Sequence, residues 1–228
     1  MIPEPTLPLL FPVYTSPLPP VRALARLALA FGRTERATRH EDGVRPETDS
    51  DHTVMLGWIA TTLCPPGLDV GRVAQFALAH DAAEAKVGDT NTLALSAEGH
   101  KKKAEREAWA RQELEREHGS TSWLCQTLAA YEAQACPESR FVRILDKVLP
   151  KLTHLENGCV AAKATLDRAG FVQAHRDQWW GLRTAYPDPL FDPLFDLLGR
   201  AMIECEAAWG EDAPSLFTGT SPVPEGSR

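Results

Sequence analysis

One stripe of residues constrains this chain more than any other. The spacing predicts a helix from about Val70 to Val87, and its inner face reads Val73, Phe76, Ala77, His80, Asp81, Glu84. The stripe begins apolar and turns ionisable partway along. A helix patterned this way runs out of a hydrophobic core into a polar centre, so other elements must surround that centre with matching groups. Adjacent His80 and Asp81 lie about 100° apart around a helix, close enough to address one metal ion, and Glu84 follows at i+4 and i+3 on the same side.

The flanking segments supply the surroundings. Helical patterning covers Arg22 to Phe31, His52 to about Cys64 with Thr48 or Ser50 as N-cap, residues 97–118, Trp123 to Gln134, a segment opened by Pro137, and stretches near 152–169, 171–185 and 192–209. Pro150 is expected to bend or end the helix that carries Phe141, Ile144, Leu145, Asp146 and Val148. No run of alternating strand residues stands out, which makes the expected class all-α. Residues 1–21 hold seven prolines and read as an extended arm, residues 22–210 as the folded domain, and residues 211–228 as a disordered tail.

Composition narrows the functional classes. A net charge of −7 over 228 residues argues against binding a nucleic-acid polymer, which calls for a basic stripe. No apolar run is long enough to span a bilayer, and five cysteines without CxxC spacing fit a reduced, cytoplasmic chain. Lys101, Lys102 and Lys103 sit on a charged helix whose plain reading is a solvated surface, the other being a flank of the substrate entrance. The aromatic C-terminal segment (Trp179, Trp180, Phe191, Phe195, Trp209) is expected to cover the core rather than a partner. His40, His100, His118, His154 and His175 are expected at the surface or at helix ends.

The chemistry resides in a set. A lone Asp146 would be explained by an ion pair with Lys147 or Arg143. Two imidazoles (His52, His80) and two carboxylates (Asp81, Asp146), with Glu84 left free, are harder to explain without one divalent ion and a hydrolytic reaction. The donor set suits Co, Mn, Fe, Ni, Zn or Mg, and its affinity order does not choose among them. Arg36 and Arg39 offer planar guanidinium groups suited to phosphate.

These residues stand in four ordered strings: Arg36-Ala-Thr-Arg-His, Glu47-Thr-Asp-Ser-Asp-His52-Thr, His80-Asp-Ala-Ala-Glu-Ala-Lys-Val-Gly-Asp89 and Phe141-Val-Arg-Ile-Leu-Asp146-Lys. Together they resemble the HD-domain metal-dependent phosphohydrolase superfamily, in particular the branch of bacterial 5′-deoxynucleotidases and related eukaryotic HD-domain proteins. The resemblance implies an all-helical fold that hydrolyses deoxyribonucleoside 5′-monophosphates to nucleoside and phosphate. It implies His52, His80, Asp81 and Asp146 as metal ligands, with Asp81 and Glu84 as the catalytic pair and Glu84 handling a proton near the water. It further implies Arg36 as a phosphate grip, Asp89 near the sugar 3′-hydroxyl, and a homodimer. Ala37 and Val87 occupy positions where the deoxynucleotidases carry aromatic and hydroxyl side chains that exclude a ribose 2′-hydroxyl, so the sugar preference stays open. Two other readings compete: an enzyme on a nucleoside triphosphate, guanosine polyphosphate or cyclic nucleotide, and a non-catalytic helical metal-binding module.

Overall fold

The computed structural model describes residues 18–92 and 95–210. The expected tail at 211–228 and most of the arm lie outside that range. Helix α1 (Leu18–Phe31) begins inside the expected arm, with Pro19 and Pro20 in its first turn, where a missing N–H leaves no bond unmade. The remaining helices are α2 (Asp49–Leu63), α3 (Val70–Ala79), α4 (Glu84–Val87), α5 (Ala97–His118), α6 (Trp123–Glu132), α7 (Pro137–Glu156), α8 (Val160–Lys163), α9 (Arg168–Ala185) and α10 (Asp192–Ala207). The class is all-α, as the sequence predicts.

Three departures from the predicted elements matter for function. First, the segment between α1 and α2 contains a small antiparallel hairpin, β1 (Glu35–Arg39) and β2 (Pro46–Thr48). Glu35 pairs with Thr48 and Arg39 with Pro46, so β1 spends four residue steps where β2 spends two. The surplus is a bulge, which re-aims side chains within β1. Second, the Val70–Val87 helix is broken. α3 ends at Ala79, and the chain passes through tighter turns, with Ala82 N–H donating to Ala79 O and Glu84 N–H to Asp81 O, before α4 starts. Third, α7 runs through Pro150 to Glu156. The ring removes only one backbone donor, and the Asp146 carbonyl four residues back is the group deprived of it.

α7 is the central element because its apolar stripe is wide. Phe141, Val142, Ile144, Leu145, Val148 and Leu149 are all buried. α2, α3 and α10 pack against it, and α9 joins α10. Trp179, Phe191 and Phe195 belong to this same core, as expected, whereas Trp180 is half exposed.

Two histidines expected at the surface or at helix ends are buried: His154, in the last turn of α7, is 3% exposed, and His175, within α9, is fully buried. His175 stacks on Phe171 at 3.9 Å and its Nδ1 bonds the Phe171 carbonyl at 2.7 Å. Burial, with Lys151 nearby, drives the His175 imidazole from 6.5 down to about 2 and that of His154 down to about 4. Both rings therefore fold neutral. Below pH 6.5 the unfolded chain takes up protons that the folded chain refuses, so stability falls as pH drops from 6.5 toward 4, by about 1.4 kcal/mol per unit for each ring. Thermal unfolding across this window should show a falling midpoint, and His175→Leu should flatten the slope. An unaltered slope in that variant would contradict the assignment.

Candidate metal centre

The centre is assembled from α2, the turn after α3, and α7. Thr48 caps α2 through a reciprocal box: its Oγ1 accepts from Asp51 N–H at 3.2 Å and its own N–H donates to Asp51 Oδ2 at 2.9 Å. That cap fixes the first turn, where His52 points inward. His80 and Asp81 lie in the tight turn, and Asp146 is at mid-length of α7.

These side chains meet. His52 Nε2 is 3.0 Å from Asp146 Oδ1, His80 Nε2 is 2.9 Å from Asp81 Oδ2, and His80 Nε2 is 3.8 Å from Asp146 Oδ1. One ligand atom from each of the four residues lies within 4.8 Å of every other. His52, His80 and Asp146 are almost wholly buried, and Asp81 is partly so.

The orientation of both imidazoles fits a metal ion. Nδ1 of His80 donates to the Ala77 carbonyl at 2.9 Å, which places the ring proton there and leaves the Nε2 lone pair facing the carboxylates. That Nε2 is buried without a hydrogen bond despite its 2.9 Å approach to Asp81. Nδ1 of His52 is likewise turned to a carboxylate, Glu47 Oε1 at 3.3 Å, with Nε2 turned to the centre. A backbone or carboxylate acceptor behind each ring, with Nε2 in front facing carboxylates, is how ligating histidines are held. Without an ion, burial lowers the His52 imidazole, but the Asp146 and Glu47 carboxylates outweigh it and raise it to about 8. Burial opposes ionisation of Asp81 and Asp146 too. His80 nonetheless holds Asp81 well below the usual carboxylate range, and Lys147 with His52 does the same for Asp146. Lys147 Nζ sits 2.7 Å from Asp146 Oδ2, so the ion pair of the plain reading exists alongside the cluster rather than instead of it.

Arg36 reaches this centre from the bulged strand. Its Nη1 is 2.9 Å from Asp49, 3.1 Å from Asp81 and 3.7 Å from Glu84. Asp49 is fully buried, and burial pushes its carboxyl up to about 6 against the pull of Arg36. Glu84 faces Lys103 of α5 at 3.2 Å. Without an ion, burial, with Asp81 and Asp89 nearby, drives the Glu84 carboxyl up to about 10 against the pull of Lys103.

Two clefts meet here, sharing Arg36, Asp89, Asp146 and Lys147 on their walls. Ala37 lines the first cleft; Arg39 and Val87 line neither. Val87 packs against a secondary apolar cluster. Sequence reasoning missed Glu47 and Asp49, the residues behind His52 and Arg36. Their available signal was position: both flank a helix N-cap three to five residues before a candidate ligand, which reads equally as ordinary capping.

Comparison with known proteins gives three findings. The sequence model of the HD domain family matches residues 32–181. Over 121 residues, 50% of this chain, the sequence is 30% identical to the protein named 5′-deoxynucleotidase YGK1 of Saccharomyces cerevisiae, and the match spans 56% of that relative's length. The crystal structure of a predicted metal-dependent phosphohydrolase from Magnetospirillum magnetotacticum MS-1 superposes with a TM-score of 0.58 at 22% identity, covering 82% of this chain and 94% of that one. That likeness is one of fold.

Proposed function

The chain belongs to the HD domain family, and from that premise we propose that it is a metal-dependent phosphohydrolase that releases phosphate from nucleoside 5′-monophosphates. The observation that carries this reading is the convergence of two Nε2 atoms, with the Ala77 carbonyl behind His80 and Glu47 beside Nδ1 of His52, on one buried and one partly buried carboxylate and a guanidinium. His52, His80, Asp81 and Asp146 would hold the divalent ion. Such an ion polarises a phosphoryl oxygen and lowers the pKa of water. The name of the yeast relative favours deoxyribonucleotides among the monophosphates.

The protein's own groups divide the remaining work. Arg36 is oriented by Asp49 and offers its other guanidinium nitrogens to phosphate oxygens. Glu84 stands at the edge of the cluster, where burial favours its protonated form, and can pass a proton to the departing nucleoside oxygen. Asp89 stands on both cleft walls, directly after Gly88, whose positive φ of 76° closes α4; from there it can accept from a sugar hydroxyl.

The test is a phosphate-release screen of ribo- and deoxyribonucleoside monophosphates and triphosphates with Mg, Mn, Co and Zn. Turnover of monophosphates is expected, and turnover of none would favour a binding module. Arg36→Ala should raise KM for phosphorylated substrates about tenfold or more, because it removes a charge-assisted contact worth roughly 1.5–3 kcal/mol. An effect confined to folding would refute the phosphate grip.

A further inference from the structure

The first cleft extends well beyond the metal centre, and its far end has a chemistry of its own. α7 forms one wall from Asp146 and Lys147, past Pro150, to Lys151 and His154. Eight residues of helical rise make this wall about 12 Å long. The near end is ionic. The middle is lined by Pro150, Ala37, Ala161 and Ala162, all small or flat, which leaves room for a planar ring. The far end is polar again, closed by Lys151, His154, Thr165 and Gln178.

Hydrogen-bond accounting defines what that end offers. Lys151, 1% exposed, donates its Nζ to Gln178 Oε1 at 2.5 Å. With the Gln178 oxygen occupied by Lys151, the two N–H donors of its Nε2 remain. The hydroxyl of Thr165 donates to the carbonyls of Ala161 and Ala162, leaving the oxygen as an acceptor. His154 Nδ1 is buried with no hydrogen-bond partner among the described residues. A buried polar group left unpaired costs about 1–3 kcal/mol, which a complementary ligand edge recovers.

We propose that Gln178, held by Lys151 and assisted by Thr165, reads the base of the nucleotide and selects one with a ring carbonyl beside a ring N–H. Such an edge, present in uracil, thymine and guanine, accepts from the Gln178 amide and donates to the Thr165 oxygen. Cytosine and adenine present the opposite polarity. The inference rests on the nucleotide reading above and extends it from reaction to substrate. Gln178 acts by positioning the base and does not touch the reacting atoms.

The test pairs dUMP with dCMP, which differ at this edge alone, and adds deoxyribose 5-phosphate as a base-free comparator. Wild-type protein should favour dUMP over dCMP about tenfold in kcat/KM, the equivalent of one net hydrogen bond. Gln178→Leu should erase that preference. Gln178→Glu keeps the contact to Lys151 but replaces donors with an acceptor, and should invert the preference toward dCMP. Calorimetric titration of deoxyuridine and deoxycytidine into the same proteins reads base recognition without hydrolysis. Discrimination in calorimetry without turnover would uphold base reading and refute the phosphohydrolase. Equal treatment of both bases by wild type, or a loss in Gln178→Glu equally large on deoxyribose 5-phosphate, would overturn the assignment of Gln178.

Discussion

Asp146→Ala is expected to empty the metal centre. Asp146 touches both candidate histidine ligands, 3.0 Å from His52 and 3.8 Å from His80, and is 2% exposed. Bound metal measured by elemental analysis should fall to background, a loss of affinity beyond the ~10–100-fold seen when supporting groups are removed. Phosphate release should fall with it. The metal-free fold should weaken as well, by roughly 3 kcal/mol, because Lys147 and a protonated His52 lose their shared buried partner. Asp146→Asn preserves volume while removing the charge, and so separates the lost ligand charge from the cavity that alanine leaves. Stoichiometric metal in both variants would exclude Asp146 as a ligand.

Glu84→Gln should separate binding from turnover. Burial favours the protonated carboxyl, which the amide matches in size and charge, so a polar group stays between Arg36 and Lys103. Metal content and thermal stability are expected to stay near wild type. Turnover should drop by about 10²–10⁴, the range associated with a lost proton-transfer group, with little change in KM. Equal turnover in Glu84→Gln and wild type would remove Glu84 from the reaction. The two variants together distinguish holding an ion from using it.

The sequence made the centre legible more readily than its supports. His52, His80, Asp81 and Asp146 could be grouped because ionisable residues on apolar stripes are conspicuous, and the structure brings all four together. The stripe around His80 was nevertheless predicted with the wrong local geometry. Ala82, Ala83 and Ala85 are good helix formers, and nothing in their propensity announces the three-residue turns that end α3 at Ala79. Packing decides that break. Both strands of the hairpin escaped detection because each is short and polar, and β1 is bulged as well, so neither shows a period-2 pattern. Asp49 and Glu47 were hidden by a different ambiguity, since an acidic residue at a helix start is expected whether or not it supports a site. His154 and His175 show the limit most plainly. Their burial depends on how α7, α9 and α10 pack together, a long-range fact that no local window contains.

His52 and Asp146 are separated by 94 residues of chain yet share one hydrogen bond. No partly folded segment can present this ligand set, so an ion that prefers it binds the native state alone. Metal then acts as a thermodynamic clamp: at a hundredfold excess over its dissociation constant it adds about 2.7 kcal/mol to the stability of the whole domain. Every substitution that loosens the distant core will register as weaker metal uptake, and chelation will register as lower heat tolerance. For this protein, cofactor supply and protein lifetime are two readings of one equilibrium.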